Sequence, residues 1–269
     1  MKIFAIFAAA VLAAAPAFAQ LAPPNEAGVT MGHIHLNVRN VAEQQHFWEL
    51  LGGTPVHNEK LNMIQFPGVF IILRQMEPAD HATPSIVDHF GFVVKDMPGE
   101  IAKWRAANLK VEQGQNPNQG YVTGPDGIRV EMFGDPSLPT RIQMNHIHFY
   151  PVDIPAMQAW YAKTFGGVPG KRARVARPGW IDCDDLPGVN LSFSQGEAGR
   201  APTKGRLVDH IGFEVTNLAA FVKKLEAQGI TLDEPIRPSQ NSKRLKVVYL
   251  TDPWGTRIEL TQGLAPSSN

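Results

Sequence analysis

From residue 30 onward, apolar and polar positions follow one order that is played four times. Residues 31–38 alternate through His-Ile-His-Leu-Asn-Val, the period of two expected of a strand. Residues 41–51 then place Val41, Phe47, Trp48 and Leu51 at helical spacing, and Gly52-Gly53 stops the helix. Short strands follow around 63–66 and 69–74. The second round reads as a strand over 86–94, a helix over 98–107 and strands ending at 128–133. The third is a strand over 142–149, a helix over 155–165 closed by Gly166-Gly167, and strands around 180–183 and 189–194. The fourth is a strand over 207–215, a helix over 218–228 ended by Gly229, and strands over 246–250 and 257–261. A unit of one strand, one helix and about three strands cannot bury both faces of its own sheet, so the units must pair.

The repeat also shows in residue identities. Gly32-His33-Ile34-His35 parallels Asn145-His146-Ile147-His148, and Asp88-His89-Phe90-Gly91-Phe92 parallels Asp209-His210-Ile211-Gly212-Phe213. The stretch from Gly124 to Glu131 likewise parallels that from Asp252 to Glu259. Units one and three are therefore copies, as are two and four. The expected division is a first domain over 30–137, with modules 30–77 and 86–135, and its duplicate over 141–263, with modules 141–197 and 206–263. A leader over 20–29 precedes them and a tail over 264–269 follows.

Composition narrows the classes. The 269 residues carry 25 basic and 25 acidic side chains. That balance gives no electrostatic reason to expect nucleic acid or an anionic membrane as partner. Residues 1–19 read as a signal peptide: Lys2, an apolar run over 3–15 too short to span a bilayer, then Ala17-Phe18-Ala19 before Gln20. The expectation is an exported protein, periplasmic or secreted, free of the membrane after cleavage, and a monomer or homodimer. The single cysteine, Cys183, excludes an intrachain disulfide. It reads as a packed strand residue, with a reactive thiol as the minority alternative.

Six of the nine histidines fall on the first strands of the units: His33, His35, His89, His146, His148 and His210. Glu131 and Glu259 each sit on a last strand between apolar neighbours, where an unsatisfied carboxylate is costly. Two imidazoles and one carboxylate form a facial ligand set suited to Fe(II) or Mn(II), with Zn(II), Ni(II) or Co(II) acceptable. One such set spread over a hundred residues is weak; two at matching places in a duplicated chain are not. Lys171, Arg172, Arg174, Arg177, Lys243, Arg244 and Lys246 form a basic cluster, read as a solvated strand edge or as an attractor of an anionic substrate. The five tryptophans read as core or rim.

The motifs His33-x-x-Leu36-x-Val38 with Leu51-Gly52-Gly53, Asp88-His89-x-Gly91-Phe92, Asp209-His210-x-Gly212-Phe213 and Asp252-Pro253-x-Gly255-x-x-x-Glu259 resemble the βαβββ modules of the vicinal oxygen chelate superfamily. That superfamily includes glyoxalase I, extradiol dioxygenases and the bleomycin and fosfomycin resistance proteins. The resemblance implies an α+β fold in which four βαβββ modules pair into two domains, each a cup-shaped mixed sheet around a divalent metal. It groups His33, His89 and Glu131 in one site and His146, His210 and Glu259 in the other. His35 and His148 become groups beside the metal or facing substrate. Tyr121 and Tyr249, each ten residues before a glutamate, match an active-site tyrosine of the ring-cleaving enzymes or are ordinary strand aromatics. The strands 69–73 and 189–193 lack the fourth, acidic ligand usual in glyoxalase I. The function implied by the resemblance is that of a metal-dependent enzyme, dioxygenase-like or glyoxalase-like, that chelates a small oxygenated substrate. The alternative is a non-catalytic binding protein of the bleomycin resistance type.

Overall fold

A computed structural model describes residues 21–79, 83–114, 116–174 and 178–265. The expected signal segment, Gln20, Arg177 and positions 266–269 of the tail lie outside them. Among the described residues no helix is long and apolar enough to cross a membrane.

The four rounds of the pattern become four rounds of structure. The first is β1 (Val29–Val38), α1 (Val41–Leu51), β2 (Thr54–Asn58), β3 (Leu61–Phe66) and β4 (Val69–Gln75). The second is β5 (Val87–Val94), α2 (Met97–Ala106), β6 (Lys110–Gln113), β7 (Gln119–Thr123) and β8 (Arg129–Gly134). The third is β9 (Ile142–Phe149), α3 (Ile154–Phe165), β10 (Val168–Ala173), β11 (Trp180–Leu186) and β12 (Val189–Phe193). The fourth is β13 (Val208–Val215), α4 (Leu218–Ala227), β14 (Arg237–Pro238), β15 (Lys246–Thr251) and β16 (Arg257–Gln262). Each helix begins at a side-chain cap, Asn40, Asp96, Asp153 or Asn217, whose oxygen accepts from first-turn backbone N–H groups. Gly52 and Gly166 close α1 and α3 in the left-handed conformation (φ 111° and 75°) that an L side chain resists.

The strands form two curled eight-stranded sheets. The first runs β14-β15-β16-β13-β1-β4-β3-β2, and the second β10-β11-β12-β9-β5-β8-β7-β6. Each is mixed: first strands meet antiparallel (β1 with β13, β5 with β9), while β1–β4 and β5–β8 are parallel. This is the α+β architecture of paired modules. The partners, however, correct the expected division. Module one pairs with module four and module two with module three, so no sheet closes within 30–137 or within 141–263. Internal similarity identifies which modules are copies of each other, but not which of two equivalent partners occupies the free edge of a first strand.

The chain therefore leaves the first sheet after β4, builds the whole second sheet, and returns after β12. The two crossings run side by side: Ile86 N–H donates to Ala201 O at 3.0 Å, Ala201 N–H to Pro84 O at 2.9 Å and Ala79 N–H to Gly205 O at 2.8 Å. Hairpin tips knit the sheets reciprocally, with Met31 N–H bonded to Pro187 O and Met144 N–H to Pro67 O. Alternation along each strand separates two environments. On β1, Ile34, Leu36 and Val38 join one continuous apolar core with the helices and the backs of both sheets. His33 and His35, the intervening residues, face the cup. Trp48 and Trp104 lie in the core, while Trp180 is 66% exposed.

Candidate metal centre

Each cup brings together four side chains able to ligate a metal: His33, His35, His210 and Glu259 in the first sheet, and His89, Glu131, His146 and His148 in the second. Within each group, one ligand atom per residue lies within 4.8 Å of every other. All six expected ligands converge, but in a different partition. The expected sets His33/His89/Glu131 and His146/His210/Glu259 do not form, because the sheets join modules one and four, and two and three. His35 and His148, expected beside the metal or at the substrate, stand within the ligand groups themselves.

Register explains the convergence. His146 on β9 lies opposite Gly91 on β5, and Gly91 in turn pairs with Glu131 on β8. His33 on β1 likewise lies opposite Gly212 on β13, which pairs with Glu259 on β16. These glycines are cradles. A Cβ at 91 would stand 2.5 Å from His146 Cε1, and one at 212 would press still closer on His33 Cε1. The glycine of each Asp-His-x-Gly motif thus makes room for the imidazole of the paired module. Motif spacing alone gives those glycines no such role.

In the second sheet, His89 Nε2 and His146 Nε2 both lie 3.0 Å from Glu131 Oε2. Their far nitrogens are held: His89 Nδ1–H donates to Asp88 Oδ1 at 2.8 Å, and His146 Nδ1–H to Asn145 Oδ1 at 2.9 Å. A proton fixed on Nδ1 leaves a lone pair on Nε2 of the neutral ring. Two lone pairs then point at one carboxylate oxygen, an arrangement that asks for a cation between them. His146 Nε2 makes no hydrogen bond of good geometry despite full burial. The donor set, its orientation and this orphaned buried nitrogen fit a divalent metal ion. Glu131 Oε1 is occupied separately by Tyr121 OH, which donates at 2.7 Å, and by the Gln119 side-chain amide.

The electrostatics agree. Burial pushes Glu131 up, but the adjacent His146 and His89 imidazoles outweigh it and hold the carboxyl far below its ordinary range. Burial lowers His146 to about 3. Burial and the neighbouring His89 and His146 lower His148 to about 2. Both are neutral, as metal ligands must be. Burial and the adjacent Glu131 raise the Tyr121 phenol far above its ordinary value, so it stays a proton donor to the carboxylate. His148 Nε2 bonds Ser194 Oγ at 2.9 Å, and its buried Nδ1 is left without a partner.

The first-sheet centre has the same heart and a poorer setting. His33 Nε2 and His210 Nε2 each lie 2.9 Å from Glu259 Oε2, and His210 Nδ1 is held by Asp209. Gly32 stands where Asn145 stands in the other copy, and His33 Nδ1 has no partner. His33 can therefore carry its proton on Nε2 and satisfy Glu259 directly. Tyr249 is paired with Glu259 across the strands as Tyr121 is with Glu131, and burial and that carboxylate raise its phenol far above the ordinary value.

The two cups differ most beside the ligands. Phe70 and Ile72 flank His33 and His35 on β4, and with Leu61, Met63, Val247 and Leu264 they make an apolar cluster against which Leu21 and Tyr249 also pack. At the matching places next to His146 and His148, β12 has Asn190 and Ser192. The second cup opens as a cleft of about 130 Å³ that includes His89, Glu131, His148 and Arg172. Arg172 is thus no simple edge residue. Cys183 is buried and unpaired, and burial pushes its thiol up, as a packed strand residue requires.

Residues 143–260 match the model of the Glyoxalase/Bleomycin resistance protein/Dioxygenase superfamily. No curated protein matches the chain by sequence. Among solved structures, glyoxalase I from Zea mays superposes with a TM-score of 0.68 at 15% identity, over 87% of this chain and 92% of that one. A putative dioxygenase from Bacillus subtilis superposes with a TM-score of 0.64 at 14% identity, over 88% and 86%. At such identities the likeness is one of fold.

Proposed function

We propose that this chain is a metal-dependent enzyme of the glyoxalase, bleomycin resistance protein and dioxygenase superfamily, acting on a small oxygenated molecule in the cleft of the second sheet. The observation that supports this reading is the convergence of His89 Nε2, His146 Nε2 and Glu131 Oε2 at the floor of an open cleft, with every one of these ligands oriented from behind. His89, His146 and Glu131 would hold the ion, with His148 as a fourth ligand or as a neutral base at the substrate. A divalent ion here, Fe(II) or Mn(II) by donor type, supplies Lewis acidity toward two adjacent substrate oxygens. Asp88 and Asn145 fix the imidazole tautomers, and Tyr121 and Gln119 fix the carboxylate. Both dioxygenase-like and glyoxalase-like chemistry use that arrangement. A binding protein without turnover has no need of two ligand sets, one of them oriented from behind, which favours the enzyme. The Lys2-led apolar leader with Ala17-Phe18-Ala19 supports an exported location.

The test is chelation of protein-bound metal by a bidentate ligand, read from the visible spectrum of Co(II)-loaded protein. Glu131→Gln is expected to abolish the chelator-induced change, and Glu259→Gln to leave it intact. The reverse pattern, or wild-type protein that retains less than one metal equivalent when metal is plentiful, would sink the reading.

A further inference from the structure

The cleft holds a cation with nothing to neutralise it. Arg172 lies on the edge strand β10, opposite Ile181, and reaches inward over the ligands. Its Nη1 donates to Asn145 Oδ1 at 3.3 Å, the amide oxygen that also takes the proton of His146 Nδ1. Its Nε is buried with no partner, and its guanidinium carbon lies 5.8 Å from the centre of the Phe133 ring. Among the described residues no carboxylate forms an ion pair with it. Glu131, the acid at the floor of the cleft, is already engaged by two imidazoles, Tyr121 and Gln119. Arg174, two residues on and on the same face, lines the cleft as well.

Withdrawing a guanidinium from water without a counter-ion is expensive, and a neutral amide at 3.3 Å offsets little of that cost. The arrangement becomes favourable once an anion enters. The guanidinium fork suits a carboxylate or a phosphonate, which it can grip through two parallel N–H donors. The other copy shows what the position looks like without this demand. By strand register Asn58 takes the place of Arg172, and its side chain is spent on the carbonyls of Gly263 and Leu264 at 2.9 Å. The first cup, lined by Phe70, Ile72 and Met63, would repel an anion.

We infer that the substrate carries, beside its two chelating oxygens, a separate anionic group of the carboxylate or phosphonate type that Arg172 binds, with Arg174 at the mouth of the cleft. The inference rests on the metal-centre reading and narrows it to acidic substrates. Arg172 binds the anion at one end and Asn145 at the other, so filling the cleft also braces His146 from behind.

The experiment compares catechol with 3,4-dihydroxybenzoate, under nitrogen, on Co(II)-loaded full-length protein. The two offer the same chelating pair, and only the second has a carboxylate, too far across the ring to join the chelate. Wild-type protein is expected to bind 3,4-dihydroxybenzoate about tenfold or more tightly than catechol, with the preference falling as salt is added. Arg172→Gln should remove the preference, and Arg172→Lys should restore part of it. Arg174→Gln should reduce it less. Equal wild-type affinities, or a preference that survives Arg172→Gln, would overturn the inference and leave the metal centre standing. Failure of both probes to perturb the cobalt spectrum would overturn both.

Discussion

Gly91 contributes to the second centre by what it lacks. A methyl group there would meet His146 Cε1 at 2.5 Å and Glu131 O at 2.7 Å, so ring and strand could not keep their places. Gly91→Ala is expected to weaken metal binding about 10–100-fold, in line with losses seen when the supports of a ligating histidine are disturbed. It should also cost about 1–3 kcal/mol of stability through overpacking. Competition against a fluorescent chelator gives the first number and denaturant unfolding the second. Unchanged metal affinity would show that His146 is free to retreat. At this scale the sequence was readable for residue types and silent on direction. His33, His89, His146, His210, Glu131 and Glu259 stood out by number and repetition. Gln119 did not, because a lone glutamine on a polar strand carries no signal until its amide is seen against Glu131.

Among elements, helices and central strands were legible and edges were not. Helix α1 falls on residues 41–51 as the pattern predicts, because Asn40 caps it and Gly52 stops it. The strands β2, β6 and β14 carry mixed, largely exposed residues, and backbone pairing rather than an apolar stripe makes them strands. The β11–α3 contact holds a different surprise. Asp184 is fully buried there, its carboxylate facing Gln158 and the α3 backbone without a hydrogen bond of normal geometry. Burial, and then the neighbouring Asp185, push it up to about 7. The folded protein therefore keeps this proton over a range where the unfolded chain has released it. The stability so held is complete below about pH 4 and is lost as pH rises through 7. Asp184→Asn should stabilise the protein by on the order of 2–4 kcal/mol at about pH 8 and by almost nothing at about pH 4. Thermal melts of both proteins across that range decide it, and a pH-independent difference would refute the assignment.

For the whole molecule, the order of modules sets which fragments can work. Each centre draws ligands from both halves of the chain: His33 meets His210 and Glu259, and His89 and Glu131 meet His146. Residues 21–138 expressed alone should bind no metal tightly, and neither should residues 139–269. Expressed together, they should assemble and recover both centres, as read by metal content after gel filtration. A tight metal site on either half alone would contradict the pairing. The duplication was plain in the sequence. The exchange of partners was not, because the strand edges of modules two and four are equivalent in pattern and only the three-dimensional path of the crossings tells them apart.

Leu21 packs against the apolar cluster of the first cup that contains Leu264, so both ends of the described chain lie at that cluster. Joined there by a short linker and reopened within residues 76–86, the chain would run in the order two, three, four, one. In that circular permutant every sheet is built from consecutive modules, with two beside three and four beside one. The natural chain is thus related to an ordinary tandem of two domains by a shift of one module in the order of connection.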